Sequence, residues 1–411
     1  MVAMRKRALI GGTLVLALIA SVCSSGGTSY GATKSGSASL GTVRKAAGAP
    51  LTVGYMTAGQ TQTVDNTNEV TIARATVKYV NQYLGGVAGR PLALKVCADQ
   101  GTPSGATDCA NQFLAAKVPV VLTSEPTNPS AALAVLSPAK VPYVLLTTGD
   151  STTLTAPDAS SVSNPLIILT APIALAKATG AKHVAMIRVD LPAADSLPAL
   201  AAPMYKKAGL KLTTTAVPLG SPDVTPQVQA ALSGGADQFL VIGDESLCVN
   251  TLKALKTLGY RGKVTSNFNC LTGSTAGSVP GGFTGLNVPI VYVNNGNTAE
   301  SKLLKAIGAK YAPGTPTDDT GGADFGYIMV SDFQRAMTGV TPTQFTSAGI
   351  KSALMNMKPQ PMALLPGQKF QCNRQASTAE PAVCSNAAAI ESISPTGQVT
   401  HIATFDASKY K

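Results

Sequence analysis

The chain has 411 residues, which at about 100–200 residues per domain gives two or three domains. It carries a net charge of +11, has no tryptophan, and is only 5% aromatic. Its Lys and Arg are scattered without a run of four, so it offers neither a basic strip nor a base-stacking surface, and nucleic acid is excluded as a partner.

Arg5, Lys6 and Arg7 precede an apolar run from Ala8 to Val22. That run is shorter than the roughly 20 residues of a spanning helix, and residues 1–22 read as a signal peptide. Three of the eleven net positive charges lie in this region, so the rest of the chain carries +8. Ala20-Ser21-Val22-Cys23 resembles the lipobox of bacterial lipoproteins, in which the cysteine becomes a lipidated N-terminus. The pattern departs from that family at Ala20, where Leu is usual, and at Val22, where a smaller residue is usual. Cleavage and release without a lipid is the alternative. Residues 23–49, rich in Ser, Gly, Thr and Ala, read as a flexible tether. The expected location is the outer face of the cytoplasmic membrane, through a lipid on Cys23.

An exported chain meets oxidising conditions, where cysteines pair. Without Cys23, six remain in three local couples: Cys97 with Cys109, Cys248 with Cys270, and Cys372 with Cys384. None has the C-x-x-C spacing of a zinc or redox site.

From Leu51 the chain alternates. Residues 51–56 read as a strand, and Val70, Ala73, Val77, Val80 and Leu84 then recur at helical spacing up to Gly85-Gly86. Strands follow at 92–96, 118–123 and 141–146, with helices around 106–114 and 130–137. After a polar, turn-rich stretch at 147–165 the alternation resumes. Strands are expected at 183–189, 211–217, 238–242 and 263–266, and helices near 171–180, 195–209, 224–233 and 246–259. An apolar segment at 286–293, helices near 298–311 and 322–338, and short strands near 387–393 and 398–405 complete the chain. Regular alternation implies α/β architecture: two doubly wound parallel-sheet lobes joined by a hinge. The expected division is 50–163 in lobe one, 164–287 in lobe two, 288–345 back in lobe one, and 346–411 mainly in lobe two. Crossovers are expected near 162–166, 284–291 and 340–362.

Ligands of such sheets bind at the carboxyl ends of the strands, where helix N-termini expose N–H groups. The candidate loops are 57–60, 124–129 and 147–152 in lobe one, and 190–195, 243–247 and 267–271 in lobe two. Thr147 and Thr148 have two readings, facing the cleft or simply ending the strand. Asp150 has two readings, ligand contact or helix N-cap.

The passage from Val80 to Pro91, with Asn81, Gly85-Gly86 and Gly89-Arg90-Pro91, resembles the helix-to-strand segment of type I periplasmic binding proteins of the leucine/isoleucine/valine-binding class. Asp99, the helix led by Pro103, the segments VPYVLLTTGD at 141–150 and GADFGYIMV at 322–330, and the strand opening at Ala181 continue the similarity over about 51–340. The resemblance implies an ABC-transporter receptor that takes a small ligand, an amino acid or a related carboxylate or amide, to a membrane permease. It places Thr127, Thr148 and Asp150 at the ligand's polar end. The lobe-two places that hold an ammonium group in this class, an aromatic and a carboxylate, match Ala194 and the stretch holding Asn267 and Asn269, which supply neither. Asp190, Asp195, Asp244 and Glu245 are the available substitutes. A sensor of the same fold, or a surface scaffold that binds nothing, are the alternatives.

Enzyme chemistry finds little support. The chain has two histidines, His183 in a strand and His401 in the tail, which leaves no triad or metal set. The strings Gly27–Gly31 and Ser137–Lys140 match a nucleophile elbow and an S-x-x-K motif, but the first lies in the tether and the second lacks its companion motifs. No dinucleotide or phosphate-loop fingerprint occurs, so no cofactor is expected.

Overall fold

A computed structural model describes residues 40–61, 65–191, 194–267, 273–283, 285–317 and 322–410. Lobe one begins with β1 (Leu51–Thr57), α1 (Thr67–Tyr83), β2 (Leu92–Ala98), α2 (Pro103–Ala115), β3 (Val121–Thr123), α3 (Pro129–Leu136), β4 (Tyr143–Leu145), α4 (Ser151–Thr155) and β5 (Ala159–Ser161). Lobe two follows with α5 (Ile167–Thr179), β6 (His183–Val189), α6 (Leu197–Lys207), β7 (Lys211–Val217), α7 (Thr225–Ser233), β8 (Gln238–Ile242), α8 (Glu245–Thr257), β9 (Lys263–Ser266), α9 (Gly273–Ser278) and β10 (Leu286–Ile290). Next come α10 (Ala299–Tyr311), α11 (Ala323–Ala336), α12 (Ser347–Asn356), the short β11 (Gln360–Pro361) and β12 (Lys369–Phe370), and the hairpin β13 (Ala387–Ile393) and β14 (Val399–Asp406).

The first sheet is parallel throughout, in the order β2-β1-β3-β4-β5. The second runs β14-β13-β10-β9-β8-β6-β7, parallel from β10 to β7 and closed at one edge by the antiparallel hairpin. Both faces of both sheets are covered, as buried parallel strands require. In lobe one, α1, α10 and α11 bury Ile72, Val80, Leu304, Tyr327 and Val330 against one face, while α2 and α3 bury Phe113, Ala132 and Leu136 against the other. In lobe two, α5 and α6 bury Ile173 and Tyr205, and α7 and α8 bury Val228 and Leu252.

Two features differ from the expectation. The polar stretch 147–165 holds α4 and β5, and the segment 346–386 packs on lobe one: Ile350, Leu354, Leu364, Phe370 and Cys384 lie in its core. Residues 382–384 lengthen the first sheet, with Ser161 N–H donating to Ala382 O at 2.8 Å and Cys384 N–H to Ser161 O at 2.8 Å. The third crossover is therefore at 385–386, not within 340–362. The first, at 162–166, and the third are tied by Asn164 Nδ2 donating to Asn386 Oδ1 at 2.8 Å, with both residues buried. Cys97 is bonded to Cys109 and Cys372 to Cys384. Cys248 is disulfide-bonded, and its expected partner Cys270 lies outside the described residues, as does Cys23. Among the described residues no helix is long and apolar enough to cross a membrane.

Candidate functional site

The two carboxyl edges border one cleft because the crossovers join them. The chain leaves β10 at Ile290 and is in lobe one by Val293, whose N–H donates to Leu364 O at 2.5 Å. Cys384 lies beside the carboxyl end of β5, and β13 begins at Ala387, near the carboxyl end of β10. Three residues span at most about 11 Å, so these steps hold the carboxyl edge of one sheet against that of the other.

In lobe one the loops form a continuous wall. Asp99 N–H donates to Thr57 O at 2.9 Å and Leu146 N–H to Ser124 O at 3.0 Å. Asn128 Nδ2 reaches Gly101 O at 2.9 Å, and the Ser130 hydroxyl reaches Asp150 at 3.3 Å. Thr127 is exposed on this wall and Thr147 half-buried. Thr148 Oγ1 accepts from Asp150 N–H at 3.1 Å, and Asp150 accepts from Thr153 N–H at 2.7 Å, making it the N-cap of α4.

In lobe two, Arg188 on β6 pairs with Asp195 at 3.0 Å and Asp190 at 3.7 Å. Both acids are more than half exposed, so the pairs orient the loop more than they stabilise it. Asp244 accepts from Leu247 N–H at 3.1 Å and caps α8, next to the half-buried Glu245. Asn267 Nδ2 donates to Gly243 O at 3.1 Å, joining the loops after β8 and β9. Asn269 lies outside the described residues.

The sequence reading missed a fully enclosed carboxyl at this edge. Glu69, in the first turn of α1, is fully buried. Its Oε1 accepts from the Tyr55 hydroxyl at 2.7 Å and the Ser124 hydroxyl at 2.8 Å, while its Oε2 has no hydrogen-bond partner among the described residues. Desolvation raises its carboxyl to about 7, against the hydrogen bonds from Tyr55 and Ser124 and with added repulsion from Glu125. The Asn66 amide also favours the ionised form without bonding to Oε2. Glu125 is itself raised by desolvation, although its side chain reaches solvent. A signal for Glu69 exists in the sequence: it falls in register with Ile72, Ala73, Thr76 and Val80 on the buried face of α1. Among the described residues no group of three His, Cys, Asp or Glu side chains is arranged to hold a metal.

A family model described as "Periplasmic binding protein" matches residues 50–383. A comparison with curated protein sequences found no match. Among solved structures, the chain is similar to a branched-chain amino acid ABC transporter periplasmic ligand-binding protein from Burkholderia xenovorans (TM-score 0.68, 13% identity, covering 88% of this chain and 96% of that one). It is also similar to a fatty acid ABC transporter substrate-binding protein from Thermomonospora curvata (TM-score 0.64, 14%, 90% and 97%). A third is an ABC transporter solute-binding protein from R. palustris in complex with 4-hydroxybenzoate (TM-score 0.62, 17%, 87% and 97%). At these identities the structures speak for the fold, and the family model, which spans most of the chain, speaks for membership. With two parallel sheets whose carboxyl edges meet across three short crossovers, this chain belongs to the periplasmic binding protein family.

Proposed function

We propose that the protein is an extracytoplasmic solute receptor, which captures a small polar ligand between its lobes and presents it to an ABC permease. In this reading Cys23 carries a lipid that holds the protein at the outer face of the membrane. The observation that carries the reading is the pair of carboxyl edges joined by three short crossovers, a hinge about which the lobes can close. The similar structures bear the names of ABC transporter proteins, and their stated ligands range from branched-chain amino acids to fatty acids and 4-hydroxybenzoate. The family therefore supports the role and leaves the ligand open.

Closure pairs the ligand with groups from both walls. We assign Thr127, Thr147, Thr148 and Asp150 to one, and Asp190, Asp244, Glu245, Asn267 and Asn269 to the other. A ligand favours the closed state only through its better contacts there. A thermal-shift screen over amines, amino acids, amides and carboxylates tests this, since a ligand at 100 times its Kd adds about 2.7 kcal/mol to stability. The screen's ligand should also reduce the radius of gyration in small-angle scattering. A tight ligand without compaction would remove the hinge mechanism. For the anchor, mass spectrometry of the mature N-terminal peptide should find a lipid on Cys23, and an unmodified terminus downstream of it would count against the assignment.

A further inference from the structure

The charge of the two sheets is segregated. No Lys or Arg stands in any loop that leads from a strand of either sheet into the following helix. The opposite turns are basic: Lys182, Lys206, Lys207, Lys211, Arg261 and Lys263 lie at the amino edge of lobe two, where Asp237 is the nearby acid. The helix dipole explains part of this pattern, because acids favour helix N-termini. Asp65, Asp99, Asp150 and Asp244 each accept a hydrogen bond from a nearby backbone N–H and are accounted for as caps or turn formers. Asp190 and Asp195 are accounted for by Arg188.

Glu69 and Glu125 have no such explanation. Glu69 is fully buried and keeps one carboxyl oxygen without a partner among the described residues, an arrangement that costs free energy unless something fills it. That oxygen belongs to the carboxyl edge. Its sister atom is held by Ser124, the first residue beyond β3, and Glu125 is the next residue along the same loop. Gly322, at φ +84°, brings the start of α11 past it without a side chain, and a Cβ there would lie 3.9 Å from Oε2.

We propose that Glu69 and Glu125 form the cation-binding end of the cleft, and that the solute carried is a small organic cation of the amine or guanidinium class. This rests on the receptor reading above and narrows it away from carboxylate ligands. An ammonium or guanidinium N–H donates to Glu69 Oε2 while Tyr55 and Ser124 continue to hold Oε1. Glu125 supplies a second negative charge, and Glu69 gives up its proton to solvent as the cation enters. The groups facing Glu69 are the Tyr55 hydroxyl from β1, the Asn66 amide beside α1, and Ser124 and Glu125 from the loop after β3. From α11, Asp324 accepts from Asn294 and Tyr327 donates to Glu300, while Glu300 on α10 pairs with Arg335. Among the described residues no cation of the protein is among the groups that set the Glu69 carboxyl.

The test uses the mature protein with four probes: putrescine, agmatine, isoleucine and 4-hydroxybenzoate, followed by thermal shift and titration calorimetry. Putrescine or agmatine should bind, more tightly as the pH rises through about 7. Glu69→Gln should weaken that binding by about ten-fold or more and flatten its pH dependence. Glu125→Gln, on an exposed loop, should weaken binding while leaving a rise with pH, since desolvation remains the main cause of the raised Glu69 carboxyl. Binding of 4-hydroxybenzoate or isoleucine with an affinity that Glu69→Gln leaves unchanged would overturn the cation site and leave the receptor reading in place. If neither cation binds, the assignment falls. If in addition the wider screen finds no ligand, the receptor reading falls with it.

Discussion

Buried carboxyls give the unliganded protein an unusual pH response. Glu69 and Asp332 are both raised to about 7, chiefly by desolvation, and so is Glu391 on β13. A carboxyl whose pKa is raised on folding contributes stability that is complete below its unfolded value and lost as the pH climbs through its folded value. The window here runs from about 3.8 for Asp332, and about 4.5 for the two glutamates, to about 7. Asp158 acts in the opposite sense: Lys351 and Ser137 overcome its desolvation and lower it, so its contribution is lost only in stronger acid. The free protein should therefore melt at a lower temperature at pH 8 than at pH 5, and Glu69→Gln should reduce that difference. Asp150→Ala should cost about 1 kcal/mol in urea unfolding, the usual loss for an N-cap, with Asp150→Asn close to neutral. Gly326→Ala should cost about 1–3 kcal/mol, since a Cβ there would meet Glu69 O at 2.1 Å where α11 crosses α1. At this scale the sequence was half legible. Asp150 could be read as a possible cap because capping is local. Glu69 was overlooked because its partners lie 14 and 55 residues away, and nothing local announces them.

Elements were legible where burial wrote a pattern. Strands β6 and β8 are buried on both faces, and β6 to β9 all match the expected spans. By contrast, β5 reads Ala-Ser-Ser, without a branched or aromatic side chain; it is a strand because β4 and residues 382–384 flank it. Helix α12 buries only Ile350 and Leu354, too few to set a period. The disulfides brace particular elements. Cys97–Cys109 fastens the end of β2 to α2 across 12 positions, and the double variant Cys97→Ser/Cys109→Ser should lose on the order of 3 kcal/mol in denaturant unfolding. Cys372–Cys384 clamps the last lobe-one residue before the third crossover. Asn386, two residues further on, holds Ala376 O at 2.6 Å and receives the Asn164 amide. Asn386→Ala leaves buried polar groups unmet and should cost about 1–3 kcal/mol. It should also widen the range of lobe angles seen by fluorescence energy transfer between labels on the two lobes.

For the whole molecule, alternation of strands and helices foretold two lobes, and it could not foretell where the tail returns. Residues 346–386 carry no signal of lobe identity, because the core they complete is assembled from segments as distant as Leu51 and Leu304. The segregated charge has a further effect on molecules in solution together. The basic amino edge of lobe two stands away from an acidic waist, so at low ionic strength the end of one molecule is attracted to the middle of another, despite a net charge that alone would drive them apart. The second virial coefficient should be negative near 10 mM salt, where the Debye length is about 30 Å, and should turn positive by about 0.15 M, where it is about 8 Å. Light scattering across that range would show a protein that becomes more soluble as salt is added.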